Sequence, residues 1–416
     1  MLQNYLKITL AVMRRRKFFT FISLFGISMT LTILIALTSF YDHLFSGKYP
    51  EVHRDRSLFC TRLSQEDTVA NGSRTSPMSI YFINKYLKTM KTPEKVAFSS
   101  TPNTINTYGN GKKLKIFFKY TDPVFWEVMG FDFLEGRPFT QRDIDANEQV
   151  AVINDDTRDD YFGKGVAAVG KTIEVDGKDL RVIGVVRGCP ITRLLVAADV
   201  YMPYNLEKSN PTDTRLGGMY QAIVLAKSQA ELPKVAAEFD ELVPRIPLEV
   251  DSRFKPNILH TGLRPYFESM VEGTFFSSDK GGTAQRRFYA FAILFALLFM
   301  SLPAINLVNI NISRILERSS EIGIRKAFGA SRNTLVYQFI IENILLTVFG
   351  GALALVISAC LIAWFNSSDL IPYADLTINW LVVGVTLILS FVFGLMSGVY
   401  PAWRMSKLPV VEALRV

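Results

Sequence analysis

Four predominantly apolar stretches punctuate the chain, at 18–40, 288–312, 335–365 and 378–402, and Glu342 is the one charge among them. Each exceeds the ~20 residues that a helix needs to cross a ~30 Å hydrocarbon core. Four transmembrane helices are therefore predicted. Residues 1–17 place Leu2, Tyr5, Leu6, Leu10 and Met13 on one helical face. That pattern fits an amphipathic helix lying in the membrane interface, or a simple extension of the first span. Arg14, Arg15, Arg16 and Lys17 then precede an apolar run too long for the core of a secretory signal, with no small-x-small site after Phe40, so an uncleaved anchor is expected.

The 41–287 stretch is too long for a loop and carries the mixed patterning of a folded domain. Residues 76–91 open with Ser-Pro and show helical spacing, while 113–120 alternate like a strand after a turn at Gly109-Asn110-Gly111. Residues 150–153 read as a short buried strand and 155–162 as a short helix ended near Gly163. The clearest hairpin is 171–186, two alternating strands about Asp176-Gly177. Residues 219–227 form another strand, and 232–245 an amphipathic helix with Leu232, Val235, Ala236, Phe239 and Leu242 inward. Strands and helices mix without a βαβ rhythm, which predicts α+β. The fold expected is an α-helical membrane protein with four transmembrane helices and a large α+β extracytoplasmic domain inserted between helices 1 and 2.

Charge orients this arrangement. The chain has 416 residues, 49% of them hydrophobic, and a formal net charge of +8. Segments 1–17, 313–334 and 403–416 hold thirteen Lys and Arg against Glu317, Glu321 and Glu412. Outside them, and leaving out Glu342, 33 basic residues face 34 acidic ones. The excess positive charge all lies on one side, which puts both termini and 313–334 in the cytoplasm. Residues 41–287 and the short loop 366–377 are then outside. The charge reports membrane orientation rather than nucleic-acid binding.

Candidate chemistry is sparse. Cys60, Cys189 and Cys360 read as free thiols, although a Cys60–Cys189 disulfide is chemically permitted outside. His43, His53 and His260 lack ligand spacing, so no metal is expected. Residues 165–172, GVAAVGKT, fit the phosphate-loop pattern, but an alternating strand and an Asp-Gly turn follow where a helix would have to start. No catalytic constellation stands out, and no bound cofactor is expected. Asn306 and Asn309 in the second span read as interhelical hydrogen-bonding groups. Glu342 is costly inside a membrane helix and should face protein, for structural pairing or for coupling. Gly350-Gly351 and Gly394-x-x-x-Gly398 permit close helix approach.

The densest stretch lies between the second and third spans. Glu321 and Arg325 stand four apart in the favourable order for a helical pair, Gly329 ends that helix, and Ser331 starts the next. ERSSEIGIRKAFGASR, then YQFIIENILLTVFGG, closely resembles the signature of FtsX/MacB-type ABC transporter permeases, and the tail PAWRMSKLPVVEALR resembles the family's closing pattern. GFDFLEGRPFTQRDID, QVAVINDDTRDDYFG and VGKTIEVDGKDLRVIGVV resemble its MacB-like periplasmic core domain. The resemblance implies a permease subunit that couples ATP hydrolysis by a separate ATPase to shape change in the external domain, for export or extraction of substrate. ATP and Mg would sit on that ATPase, and this chain would not be an enzyme. It implies that Glu317, Glu321, Ile322, Ile324, Arg325, Lys326, Phe328 and Gly329 form the coupling loop, with Ile322, Ile324 and Phe328 inserted in the ATPase and Arg325 and Lys326 making charged contacts. A second permease copy or paralogue, a periplasmic adaptor or hydrolase, and the bacterial inner membrane complete the expected setting. The alternative is a non-transporting regulator that controls a cell-wall hydrolase or senses peptides.

Overall fold

The computed structural model describes residues 17–207, 213–250, 252–275, 286–295, 332–368 and 370–381, with short stretches at 11, 13–15, 297–298, 383–385, 387–388 and 391–392. The amphipathic stretch 1–17, most of the spans at 288–312 and 378–402, the loop 313–334 and the tail 403–416 lie wholly or largely outside them. The chain divides into two compact units. One contains 1–43, 289–370 and 375–416, and the other contains 44–288 together with 371–374.

In the first unit, helix α1 runs Lys17–Phe45. Among the described residues two helices are long and apolar enough to cross a membrane, at Thr20–Phe45 and Ile340–Ser367. A hydrophobic cluster of Ile27, Leu31, Leu346 and Ala354 joins them. Small residues bring the backbones close. A Cβ on Gly350 would lie 2.6 Å from Ile27 Cγ2, and one on Gly351 would lie 2.8 Å from Leu387 Cδ2. Thr32 Oγ1 donates to the Ala354 carbonyl at 3.4 Å across this contact.

The second unit begins with strands β1 (Ser57–Cys60), β2 (Leu63–Asp67) and β3 (Gly72–Ser76). Helix α2 (Ile80–Phe82) continues as a π-turn over Ile83–Leu87. Strands β4 (Lys95–Ser100), β5 (Asn103–Gly109) and β6 (Lys112–Thr121) lead to α3 (Val124–Val128) and β7 (Phe133–Gly136). Next come α4 (Gln141–Asp145), β8 (Val150–Asn154), α5 (Asp155–Phe162), β9 (Thr172–Val175) and β10 (Lys178–Val186). Strands β11 (Val200–Pro203) and β12 (Tyr220–Leu225), helix α6 (Leu232–Leu242), strand β13 (Ile258–His260) and helix α7 (Tyr266–Phe275) finish the unit. The chain re-enters the first unit at Tyr289, and helix α8 (Arg332–Ser367) belongs to that unit.

Ten strands form one mixed sheet in the order β1-β12-β4-β6-β11-β8-β10-β7, with β5 on β6 and β9 on β10, while β13-β2-β3 make a small second sheet. Both faces of the large sheet are covered. One carries α2 and α6 through Phe82, Ile83, Val235 and Phe239. The other carries an aromatic layer that includes Phe125, Trp126, Phe139, Tyr201 and Tyr266. Central β8 is buried at all five positions, as a strand covered on both faces must be.

Turn chemistry accounts for the hairpins. Asn110 and Gly111, and again Asp176 and Gly177, have positive φ, which the two-residue turns between β5 and β6 and between β9 and β10 demand. The helix expected at 76–91 starts later. Met78 pairs with Tyr220 through two backbone hydrogen bonds, so the helix waits for Ser79, whose hydroxyl caps Phe82 N at 3.0 Å. Pro244 lacks the N–H that a continuing helix needs, and α6 gives way to a 3-10 turn at Val243–Arg245. The absent βαβ rhythm conceals two parallel pairings, β8 with β10 and β6 with β11. Strand β9 lies inside one of those crossovers and breaks the rhythm.

Strands β7 and β10 meet at facing glycines, Gly136 and Gly184. Gly136 has φ +67°, and a Cβ there would lie 2.0 Å from the Ile183 carbonyl oxygen. Gly136→Ala should therefore lower stability by about 2 kcal/mol or more. A fall in the thermal unfolding midpoint in detergent, larger than that of Gly165→Ala on open surface, is the expected reading.

Candidate functional site: a buried ionic clasp

The coupling-loop residues Glu317, Glu321, Ile322, Ile324, Arg325, Lys326, Phe328 and Gly329 lie outside the described residues, as do Asn306 and Asn309. Glu342 is described. It lies on the buried face of α8 with Asn343, Leu346 and Thr347, and only 3% of it is exposed. The charge therefore points into protein, where an intramembrane acid is least costly.

Among the described residues the largest concentration of buried charge is in the second unit, close to where its chain begins. Glu51 sits between two arginines. Arg54 donates to its Oε2, and Arg193 Nη1 lies 3.5 Å from the same oxygen. Glu51 and Arg193 are each 1% exposed. Both guanidiniums also grip the incoming backbone. Arg193 Nη1 donates to the Ser46 carbonyl at 2.7 Å, and Arg54 Nη1 donates to the carbonyls of Ser46 at 2.8 Å and Leu44 at 3.2 Å. Arg54 further lies 3.7 Å above the ring centre of Tyr266, the first residue of α7. One acid thus joins the unit's opening segment, its last helix and the loop that carries Arg193.

That loop, 187–199, is strapped to the sheet through three consecutive carbonyls. Lys119 Nζ donates to Leu194 O at 2.8 Å, Ser99 Oγ to Leu195 O at 3.0 Å, and Tyr201 Oη to Val196 O at 3.0 Å. The last turn folds Arg193 inward, with Val196 N and Ala197 N both on its carbonyl at 2.8 Å. Lys119 belongs to β6 beside Tyr201 of β11 and is wholly buried. Burial pulls its ammonium down to about 7 and pushes the Cys189 thiol up to about 12. Arg193 is lowered by burial first and by Arg54 second. The arrangement is a rigid electrostatic joint. It offers no nucleophile with an adjacent base.

The phosphate-loop look-alike resolves differently. Lys171 precedes β9 rather than a helix, and the Ala168 N–H that would face phosphate is taken by the Glu135 carboxylate at 3.1 Å. A carboxylate occupies the position where an anion would bind. Sequence reading passed over Glu51, Arg54 and Arg193, which look like solvated charges one at a time. The small signal was Arg193 in an otherwise apolar run, ITRLLVAA.

The comparisons with known proteins agree on one family. Residues 20–242 match the MacB-like periplasmic core domain, and residues 293–410 match the FtsX-like permease C-terminal domain. The chain is 28% identical over 313 residues to an uncharacterized ABC transporter permease, YvrN, of Bacillus subtilis, covering 71% of this chain and 68% of that one. It is 26% identical over 297 residues to the macrolide export ATP-binding/permease protein MacB of Escherichia coli K12. That match covers 70% of this chain and 42% of MacB, so the chain spans less than half of MacB's length. The periplasmic region of MacB from Actinobacillus actinomycetemcomitans aligns with a TM-score of 0.36 and 16% identity, over 53% of this chain and 93% of that one.

Two outcomes test the clasp. Glu51→Gln leaves two buried guanidiniums without their acid and should cost about 3–5 kcal/mol. Combining it with Arg193→Met should cost less than the sum of the single changes, read as unfolding midpoints in a double-mutant cycle. The lysine makes a pH prediction. Its folded value lies below the ordinary 10.5, so the unfolded chain binds the extra proton between about pH 7 and 10.5, and stability rises with pH across that window. Relative to Lys119→Met, the native protein should gain up to about 1.4 kcal/mol per pH unit there. Parallel pH profiles for the two would refute the depressed lysine.

Proposed function

The chain belongs to the family of permeases that carry a MacB-like periplasmic core domain and an FtsX-like permease domain, and on that premise we propose that it is the membrane subunit of an ABC transporter, driven by an ATPase on another polypeptide. The observation that carries the reading is the order of parts on one chain. A large α+β domain sits between the first apolar helix and a permease region whose loop 313–334 is dense in charge and flanked by apolar spans.

The mechanism is mechanical. ATP-driven closure of the ATPase pushes on the loop at Glu321–Phe328. Four spans, with both termini in the cytoplasm, carry the movement across the inner membrane, and the external domain changes shape to export or extract its substrate. Two permease copies, or one copy and a paralogue, form the working unit, because four helices are too few to enclose a wide path. The external domain meets a further periplasmic protein, an adaptor or a hydrolase. Within that domain the Glu51 clasp supports the reading. It ties the backbone at Leu44 and Ser46, where the first helix ends, and the ring of Tyr266 on α7 to the loop that the central sheet holds. Movement of the entering chain is therefore delivered to the sheet rather than lost in a flexible linker.

Ile322 and Phe328 are the apolar anchors of the ATPase contact, and anchors of this kind dominate interface energy. Ile322→Asp and Phe328→Asp should each reduce co-purified ATPase by at least about tenfold, with membrane insertion unchanged. Lys326 should react with a membrane-impermeant amine reagent only when the cytoplasmic face is opened. Retention of a coupled ATPase by both variants, or labelling of Lys326 from outside, would sink the proposal.

A further inference from the structure

The loop after α8 holds a feature that its sequence does not advertise. Its neck is closed by Asn366, whose Nδ2 donates to Leu376 O and whose Oδ1 accepts from Leu376 N, both at 3.0 Å. Between these residues, Ile371–Ala374 group with the external domain rather than with the helices on either side. A tight turn, Ala374 N to Ile371 O at 3.1 Å, presents Tyr373 with φ +59°, a backbone conformation that side-chain-bearing residues rarely adopt.

The domain has a receptor for this side chain. Tyr373 Oη donates to Asp155 Oδ1 at 2.7 Å and accepts from Asp156 N at 3.2 Å. Asp155 Oδ1 also accepts from Gly188 N at 2.9 Å, so one carboxylate oxygen binds both the phenol and the wall of the site. Asp155 and Asp156 open α5, which Asn154 caps by accepting from Thr157 N at 2.7 Å. Gly188 completes the seat. A Cβ there would lie 2.2 Å from Tyr373 Cζ, and no other atom group comes as close. The three nearest atoms all belong to the Tyr373 side chain, so a side chain at 188 must displace the ring.

We propose that Tyr373 is a releasable latch, seating the loop after the third membrane helix in a socket made by Asp155, the Asp156 amide and Gly188. Three features make it releasable. Among the described residues the polar contacts of Ile371–Ala374 with the domain converge on one hydroxyl, the ring is only half-buried, and the strained backbone at Tyr373 is relieved on leaving. The inference rests on the proposed transport role only for what the latch acts upon. Its seating and release stand on the residues above.

Hydrogen exchange on the full chain in detergent, without any ATPase, tests it. In the native protein the amide of Asp156, whose acceptor is the Tyr373 hydroxyl, should exchange faster than those of β8 and β10, because opening of the latch removes its partner. Gly188→Ala evicts the ring, and Tyr373→Ala removes it. Each should speed exchange across 366–376 and at Asp156 by at least about tenfold, leaving β8 and β10 unchanged. Tyr373→Phe should fall between. The double variant Gly188→Ala/Tyr373→Ala should be no faster than either single change, since both abolish the same contact. Native exchange at 366–376 in Gly188→Ala would overturn the seating, and Asp156 exchanging as slowly as β8 in the native protein would overturn the release. Neither result bears on the ATPase co-purification that tests the transport reading.

Discussion

A single carboxylate, Glu51, holds the external domain's chain entry in place. It is buried with two arginines, and a lysine of the central sheet lies close enough to feel its charge. Buried like charges are tolerable only if each is paired or hydrogen-bonded, and here the carbonyls of Leu44 and Ser46 accept from the arginine Nη1 atoms and that of Leu194 from Lys119, while Arg54 Nε and Arg193 Nε stay buried without an acceptor. The consequence is directional. Every partner recruited to neutralise the cluster is either chain at the end of the first apolar helix or chain already fastened to the sheet. An apolar core at this point would hold these segments together with less positional definition, because dispersion contacts are not directional whereas a guanidinium fork is.

The sheet makes this joint useful because it is closed on both faces. Helices α2 and α6 cover one side, and an aromatic layer with the 187–199 loop covers the other. Loop carbonyls at 194, 195 and 196 are each held by a side chain from a different strand, β6, β4 and β11. These strands lie together in the middle of the sheet, so the loop behaves as an extension of it. At the start of the same loop, Gly188 lies against Tyr373. One loop therefore bears both the clasp and the latch socket, which makes it the common element of the two attachments argued above.

Much of the architecture could be read without coordinates. The turn at Asn110-Gly111 and the hairpin at Asp176-Gly177 declared themselves because positive φ at both positions favours those residue types, although β5 before the first turn was not foreseen. Helix α5 matched its expected span residue for residue, Asp155 to Phe162 with Gly163 after it, and the structure adds the Asn154 cap. Strands β1 and β11 were missed because they are four residues long and buried throughout, which leaves no alternation to detect. Strand β3, GSRTS, was missed for the opposite reason, being polar and largely exposed. Lys119 shows the limit most clearly. In an alternating strand it occupied the position expected to face solvent, yet a loop seventy-odd residues further along covers that face.

Hydrophobic run length, charge asymmetry and the motif around Glu321–Arg325 are one-dimensional properties, so the sequence by itself determined the apolar helices, the family and the existence of a large inserted domain. Each of those follows from how neighbouring residues interact with water or lipid, whatever the remainder of the chain does. The clasp and the socket depend instead on groups brought together from distant parts of the chain, Glu51 with Arg193 and Asp155 with Tyr373. No local pattern records such pairings, because a charged or phenolic side chain reads the same in sequence whether water or another residue satisfies it. Only the tertiary structure, by removing the water, decided which.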